Sequence, residues 1–165
     1  MKKILLLSDN HSYIDDRILH YAEQADEIWH AGDIGDLDVT DKLQATGKPL
    51  IGVYGNIDNA EIRKEFPLHQ RWMCEDVDVW MTHIGGYPKK YNPAVRDEIR
   101  QNPPKLFICG HSHILKVMMD KDLGLVHMNP GAAGKHGWHK QRTMLRFTID
   151  GKEIKDLEVI ELASK

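Results

Sequence analysis

The segment Ile4-Leu5-Leu6-Leu7-Ser8-Asp9-Asn10-His11 limits what this chain can fold into more than any other stretch. Four consecutive aliphatic residues stop at a carboxylate and an imidazole two positions apart. A short apolar run of this kind is a strand buried on both faces, as in a parallel sheet. Residues two apart leave a strand on the same side, so Asp9 and His11 converge beyond its carboxyl end. The same pattern recurs four times. Glu27 to Ala31 ends at Gly32-Asp33, Leu50 to Tyr54 at Gly55-Asn56, Val77 to Met81 at Thr82-His83, and Lys105 to Cys109 at Gly110-His111-Ser112-His113.

Between these strands the apolar period changes. Ile14, Ile18, Tyr21, Ala22 and Ala25 predict an amphipathic helix over 13–27, and Leu37 to Thr46 a second one, closed by Gly47 with Pro49 beyond. Gln70 to Cys74 pairs with Val77 to Met81 through a turn at Glu75-Asp76. Asn92 caps a further helix with Pro93 at its first position, Val95 and Ile99 inward, and Pro103-Pro104 blocking continuation. Leu115 to Met119, Leu125 to Met128, Arg142 to Ile149 and Glu153 to Glu161 are strands, the last two joined by a hairpin turn at Asp150-Gly151. The order βαβαβ followed by antiparallel strands, with no linker or repeat, predicts a single α/β domain over 1–165.

Ligands of open sheets of this type bind outside the strand carboxyl ends. Asp9, His11, Asp33, Asn56, His83, His111 and His113 therefore meet at one edge. The chain holds ten histidines, an excess that suits metal binding, since imidazole is the commonest metal ligand. Oxygen and imidazole donors without thiolate suit manganese, iron, zinc, nickel or magnesium. Seven protein donors exceed what one ion takes and suit two, with one carboxylate bridging. His20, His69, His127 and His139 are read as ordinary hydrogen-bonded side chains. Gly131-Ala132-Ala133-Gly134-Lys135-His136 resembles a phosphate-binding P-loop only superficially, with too few residues between its glycines and histidine where Ser or Thr belongs.

Other classes are disfavoured. The formal charge of −3 supplies no field for a nucleic-acid polymer, and no basic stripe with interleaved aromatics is present. No stretch reaches the roughly 18 apolar residues of a membrane span, and the run after Met1-Lys2-Lys3 is shorter than the roughly 7–15 of a signal-peptide core. Cys74 and Cys109 form no framework and fit buried thiols in a reducing compartment, so a cytoplasmic location is expected.

Asp9-x-His11, Gly32-Asp33, Gly55-Asn56-x-Asp58, His83 and Gly110-His111-x-His113 together resemble the five-motif signature of calcineurin-like metallophosphoesterases. The Asn129-Pro130-Gly131 turn and the short chain are similar to the small YfcE-like phosphodiesterase branch. The resemblance spans about residues 3 to 135. It implies a four-layer α/β/β/α sandwich of two mixed sheets, with a dinuclear metal site at the strand carboxyl ends. It places Asp9, His11, Asp33 and His113 on one ion, and Asp33, Asn56, His83 and His111 on the other, with Asp33 as bridge. The implied activity is hydrolysis of a small phosphodiester by in-line attack of a metal-bridging hydroxide, with manganese first among the ions. Asp33, Asn56, Asp58 and His111 are the implied catalytic residues. Asp58, and more weakly Asp36, are the candidates for fixing imidazoles.

The chain departs from that family at Ile57, where many relatives carry a histidine that protonates the leaving group. Its absence, common in the YfcE-like branch, implies slow turnover or leaving groups that need little protonation. Ser12 and Ile84 replace frequent glycines. The competing reading is an interaction scaffold, by resemblance to the retromer subunit of the same superfamily, which also has an apolar residue at the position of Ile57. A metal-buffering or nucleic-acid-binding domain is a weaker third. His136 is the candidate substrate-binding residue at the rim. Lys89, Lys90, Lys135, Lys140 and Arg142 are possible contacts to a distant part of the substrate, and Trp138 is a possible contact in a homo-oligomer.

Overall fold

The computed structural model describes residues 1–165. In chain order the elements are β1 (Lys2–Leu7), α1 (Asp16–Gln24), β2 (Glu27–His30), α2 (Leu37–Gln44), β3 (Leu50–Gly52), α3 (Ala60–Glu65), β4 (His69–Cys74), β5 (Val77–Thr82), β6 (Gly86–Tyr87), β7 (Lys90–Tyr91), α4 (Pro93–Gln101), β8 (Leu106–Ile108), β9 (Leu115–Asp120), β10 (Leu125–Pro130), β11 (Thr143–Asp150) and β12 (Glu153–Glu161). They form two five-stranded mixed sheets, β12-β11-β1-β2-β3 and β4-β5-β8-β10-β9, and a small ribbon of β6 and β7. In the first sheet β1, β2 and β3 run parallel and β11 returns antiparallel to β1. In the second, β5, β8 and β10 run parallel, flanked by antiparallel β4 and β9.

Alternation along each strand sorts side chains into three apolar cores. Ile4 and Leu6 of β1 face Val79, Met81, Leu106, Ile108 and Met128 of the opposite sheet, forming the core between the sheets. Leu5 and Leu7 point the other way, against Ile18 and Ala22 of α1, Val39 and Leu43 of α2 and Ile62 of α3. Trp80, Phe107 and Leu125 cover the far face of the second sheet and pack on Val95 and Ile99 of α4. Helix, sheet, sheet and helix are thus stacked in four layers, the α/β/β/α sandwich that the resemblance implied.

Local chemistry sets the helix ends. Asp15 caps α1 by accepting from Ile18 N at 3.0 Å, and Asp36 caps α2 by accepting from Asp38 N at 2.8 Å. The first helix therefore starts three residues later than its apolar pattern, at Asp16. Asp36 is committed to this cap and does not brace an imidazole. Helix α3 was not expected, because only Ile62 of its six residues is buried and no period shows; its start is set by Asn59, which accepts from Ile62 N at 3.1 Å. Asn92 and Pro93 open α4 as their spacing predicts. The last hairpin pairs Asp150 with Glu153, so its two loop residues are Gly151 and Lys152 rather than Asp150 and Gly151. Gly151, at φ 59°, takes the first loop position, as in a type II′ turn.

Two of the four histidines read as ordinary fit that description: His69 pairs with Thr82 Oγ1 at 2.8 Å and His20 with Gln24 at 2.9 Å. His127 does not. It is fully buried in β10, between Tyr87 and Phe107, and neither ring nitrogen has a hydrogen-bond partner. Burial, with a smaller push from Lys116, brings its pKa down to about 4. The unfolded chain takes up this proton near pH 6.5 and the folded protein only near 4, so the stability of the neutral buried ring is complete above pH 6.5 and is lost as pH falls through that window. His127→Leu is expected to flatten the acid limb of urea-measured stability between pH 6.5 and 4 by about 3 kcal/mol.

Candidate metal centre

The parallel strands of both sheets end at the same edge. Beyond β1, β2 and β3 lie Asp9, His11, Asp33 and Asn56; beyond β5 and β8 lie His83, His111 and His113. The loops reach this edge through unusual backbone. Asp9, His11, Asp33, His111 and His113 all adopt positive φ, between 45° and 73°. These are left-handed conformations that residues with a β-carbon visit rarely and that collect at functional sites.

Two groups of donors result. Ligand atoms of Asp9, His11, Asp33 and His113 lie within 4.8 Å of one another, and so do those of Asp33, His83 and His111. Asp33 belongs to both. Its Oδ1 accepts from Ile57 N at 3.2 Å, while Oδ2 faces His11 Nε2 at 3.3 Å and His83 Nε2 at 3.2 Å. Asp9 Oδ2 accepts from Ser8 Oγ at 2.6 Å and His111 N at 3.1 Å; its Oδ1 is 3.2 Å from His113 Nε2. Asn56 Oδ1 pairs with His111 Nδ1 at 3.0 Å beside the second group.

The imidazoles are aimed by what holds their other nitrogen. His83 Nδ1 donates to Ala31 O at 2.7 Å, which leaves Nε2 with its lone pair toward Asp33. Although buried, Asp9 Oδ1, His11 Nε2 and His83 Nε2 have no hydrogen-bond partner. Unsatisfied buried groups of this kind are costly unless something else meets them. Three convergent lone-pair atoms on oxygen and nitrogen, with two buried carboxylates, fit divalent cations. Among protein groups alone, burial pushes Asp33 upward, yet the imidazoles of His11 and His83 hold it well below the usual carboxylate range. Burial lowers His83, but the neighbouring carboxylates of Asp33 and Asp9 raise it above its ordinary value. Burial and the His83 ring depress His111.

Close approach explains two motif glycines. A β-carbon at Gly32 would stand 2.6 Å from His83 Nδ1, and one at Gly55 2.1 Å from Asp33 Oδ1. Their presence before Asp33 and Asn56 serves this contact, beyond easing a turn.

Asp58 takes a different position from the one its motif suggested. No imidazole donates to it; its carboxylate accepts from Gly35 N at 2.8 Å, Gly55 N at 2.7 Å and Ile34 N at 3.2 Å, tying together the loops that carry Asp33 and Asn56. Arg142 is not at the rim. It is buried, donating to Ala133 O at 2.7 Å and Asp15 Oδ2 at 3.1 Å, and it shares the ring of Tyr13 with Lys135. His136 stands at the crevice, its ring stacked on His11 with centroids 4.7 Å apart. His139, read as ordinary, also lies here: it pairs with Gly134 O at 2.8 Å and sets its ring edge against His113.

Several residues of the site carry no sequence motif. His30 is fully buried, accepts from Gly32 N at Nδ1 and donates from Nε2 to Asn10 Oδ1 at 2.8 Å. Burial brings its pKa down to about 4, so it stays neutral in that tautomer and braces the first two loops. A histidine inside an apolar strand was the available signal. Asn129 donates to Gly110 O at 3.0 Å and Ser112 Oγ at 3.1 Å, fixing the loop of His111 and His113; Tyr87 OH also meets Ser112. Nothing in the Asn-Pro-Gly turn announces that bond.

Residues 1–152 match the family model described as the calcineurin-like phosphoesterase superfamily domain. No curated protein matches. Among solved structures, a Thermotoga maritima protein is 25% identical with a TM-score of 0.73, covering 98% of this chain and 100% of its own. Wild-type Vps29 of Entamoeba histolytica complexed with zinc is 15% identical with a TM-score of 0.75, over 97% of this chain and 98% of that one. A protein described as a novel archaeal phosphodiesterase is 20% identical with a TM-score of 0.71, over 97% and 99%. The last two likenesses speak for the fold alone. No helix is long and apolar enough to cross a membrane.

Replacing Asp58 by alanine strands three backbone N–H groups at the base of the site. Asp58→Ala is expected to lower unfolding free energy by about 3 kcal/mol in a urea titration.

Proposed function

The chain belongs to the calcineurin-like phosphoesterase superfamily, and from that premise we propose that it is a phosphodiesterase dependent on two divalent metal ions. The observation that carries this reading is the place of Asp33 in both donor groups, with its Oδ2 between the unpartnered nitrogens of His11 and His83. By that reading Asp9, His11, Asp33 and His113 would hold one ion, and Asp33, Asn56, His83 and His111 the other. Two such ions supply Lewis acidity toward the phosphoryl oxygens and an acidified water as nucleophile.

The protein's own groups do the rest. Ser8 and the His111 amide hold Asp9, and the Ile57 amide holds Asp33, so neither buried carboxylate can rotate away. Asn56 and His111 face the open side and suit contacts to the oxygens of the transferring group. Asp58 acts at a distance, as the tie between loops, rather than on reacting atoms. His136, stacked on His11, suits the rim against which the ester is seated. Position 57 offers no proton, which favours esters whose leaving oxygen is already acidic.

A second reading, an interaction scaffold on the same fold, has one observation in its favour: Ile57, Ile114 and Trp138 are exposed around the crevice. Turnover separates the two. Metal-stripped protein given bis(p-nitrophenyl) phosphate is expected to be inert, to gain activity with Mn²⁺, and to lose it at least about 10³-fold in Asp33→Ala, in proportion to the loss of a shared ligand. Protein that binds two ions yet stays inert with manganese, iron, zinc, nickel and magnesium would instead be the scaffold.

A further inference from the structure

Three of the polar donors are followed at once in the chain by an exposed isoleucine: Asn56 by Ile57, His83 by Ile84 and His113 by Ile114. Ile57 is 45% exposed and Ile114 59%, and Trp138, on the loop that also carries His136, is wholly exposed. Large apolar side chains gain nothing from water, and a cluster of them rimming a polar site marks a surface built for contact. Ile57, Ile114 and Trp138 line the same cavity, of about 500 Å³, as His11, Asp33, Asn56 and His111. Ile84 stands beyond His111 and Ser112, in an adjoining cavity of about 270 Å³.

Size and charge identify the occupant. A volume of about 500 Å³ lies in the range of small-molecule sites, roughly 300–1,000 Å³, whereas a protein partner requires a face of roughly 800 Å². Asp33 is the only ionisable group other than histidine in the lining. Of the basic residues that flank His136 in the chain, Lys135 and Arg142 are drawn to Tyr13 and Lys140 is exposed outside the lining, while the Lys165 amine donates to Gly137 O at the cavity edge. No lysine or arginine lines the cavity to meet a second phosphate or a carboxylate. What is offered beyond the metal donors is a flat indole, two branched aliphatic chains and the imidazoles of His136 and His139.

We propose that the substrate is a phosphodiester with a single anionic phosphate and an uncharged aromatic ester group, and that Ile57, Ile114 and Trp138 hold that ring. The inference rests on the phosphodiesterase reading above and names its substrate class. An aryl ester also agrees with isoleucine at position 57, since a phenolic oxygen departs with little need of a proton. An aliphatic ester would fill the same volume without stacking, so ring and chain are the contrast to measure.

Methyl(phenyl)phosphinate and dimethylphosphinate, each a single anion with no ester bond to break, provide that contrast without turnover when titrated into the zinc-loaded full chain. Affinity is read by calorimetry, and occupancy by protection of Trp138 from acrylamide. Trp29 and Trp80 are buried and Trp72 is half-buried, so the accessible emission reports Trp138. The phenyl compound is expected to bind about tenfold more tightly and to shield the indole, as stacking on an aromatic side chain does. Trp138→Ala and Ile114→Ala are expected to bring the ratio of the two affinities close to one. Met73→Ala, on exposed β4 outside the cavity, should preserve it. Equal affinities in the wild type, or a ratio unmoved in both variants, overturn the inference and leave the phosphoesterase reading in place. Failure of both probes to bind the loaded protein removes that reading, and this inference with it.

Discussion

Two carboxylates, Asp9 and Asp33, are buried within reach of four imidazoles, and three of the convergent atoms have no protein partner. Burying like charges together is unfavourable unless cations or donors offset them. Everything around the site is arranged to hold this unfavourable grouping in place. Left-handed backbone turns the side chains inward, two glycines allow the loops to touch, and Asp58, His30 and Asn129 tie one loop to the next. The sandwich itself answers to the same requirement, because the parallel ends of two separate sheets must fall at a common edge.

The features legible in the sequence were those with a period or a junction. Apolar runs ending in donors located β1, β2, β3, β5 and β8, and the Asn-Pro pair located α4. Alternation along β1 is invisible in Ile4-Leu5-Leu6-Leu7, which is apolar on both sides; the family resemblance, rather than the pattern, supplied the second sheet and the four layers. Helix α3 escaped because one buried residue makes no period. The positive φ of Asp9, His11 and His113 escaped because nothing in residue type forces it; tertiary contacts impose it.

Charged residues were the least legible. Asp58 sits in a motif with Asn56, yet spends its carboxylate on backbone amides. Arg142 follows a loop of glycines and lysines, yet is interior, because Asp15 and the Ala133 carbonyl satisfy its guanidinium. His127 and His139 shared one expectation and part company in the fold, one packed among aromatic rings and the other beside His113. A side chain with several possible partners cannot be assigned from its neighbours in sequence, since the partner that decides its role comes from another strand.

Each donor group draws on both sheets: Asp9, His11 and Asp33 from one meet His113 from the other, and Asp33 meets His83 and His111. A bound ion would therefore act as a rivet through the sandwich. Breathing of either sheet edge would have to break coordination before the layers could part, so a bound ion would restrain local opening of the fold at this edge. Loading would thus be felt as added rigidity in both sheets at once, well away from the loops that carry the donors.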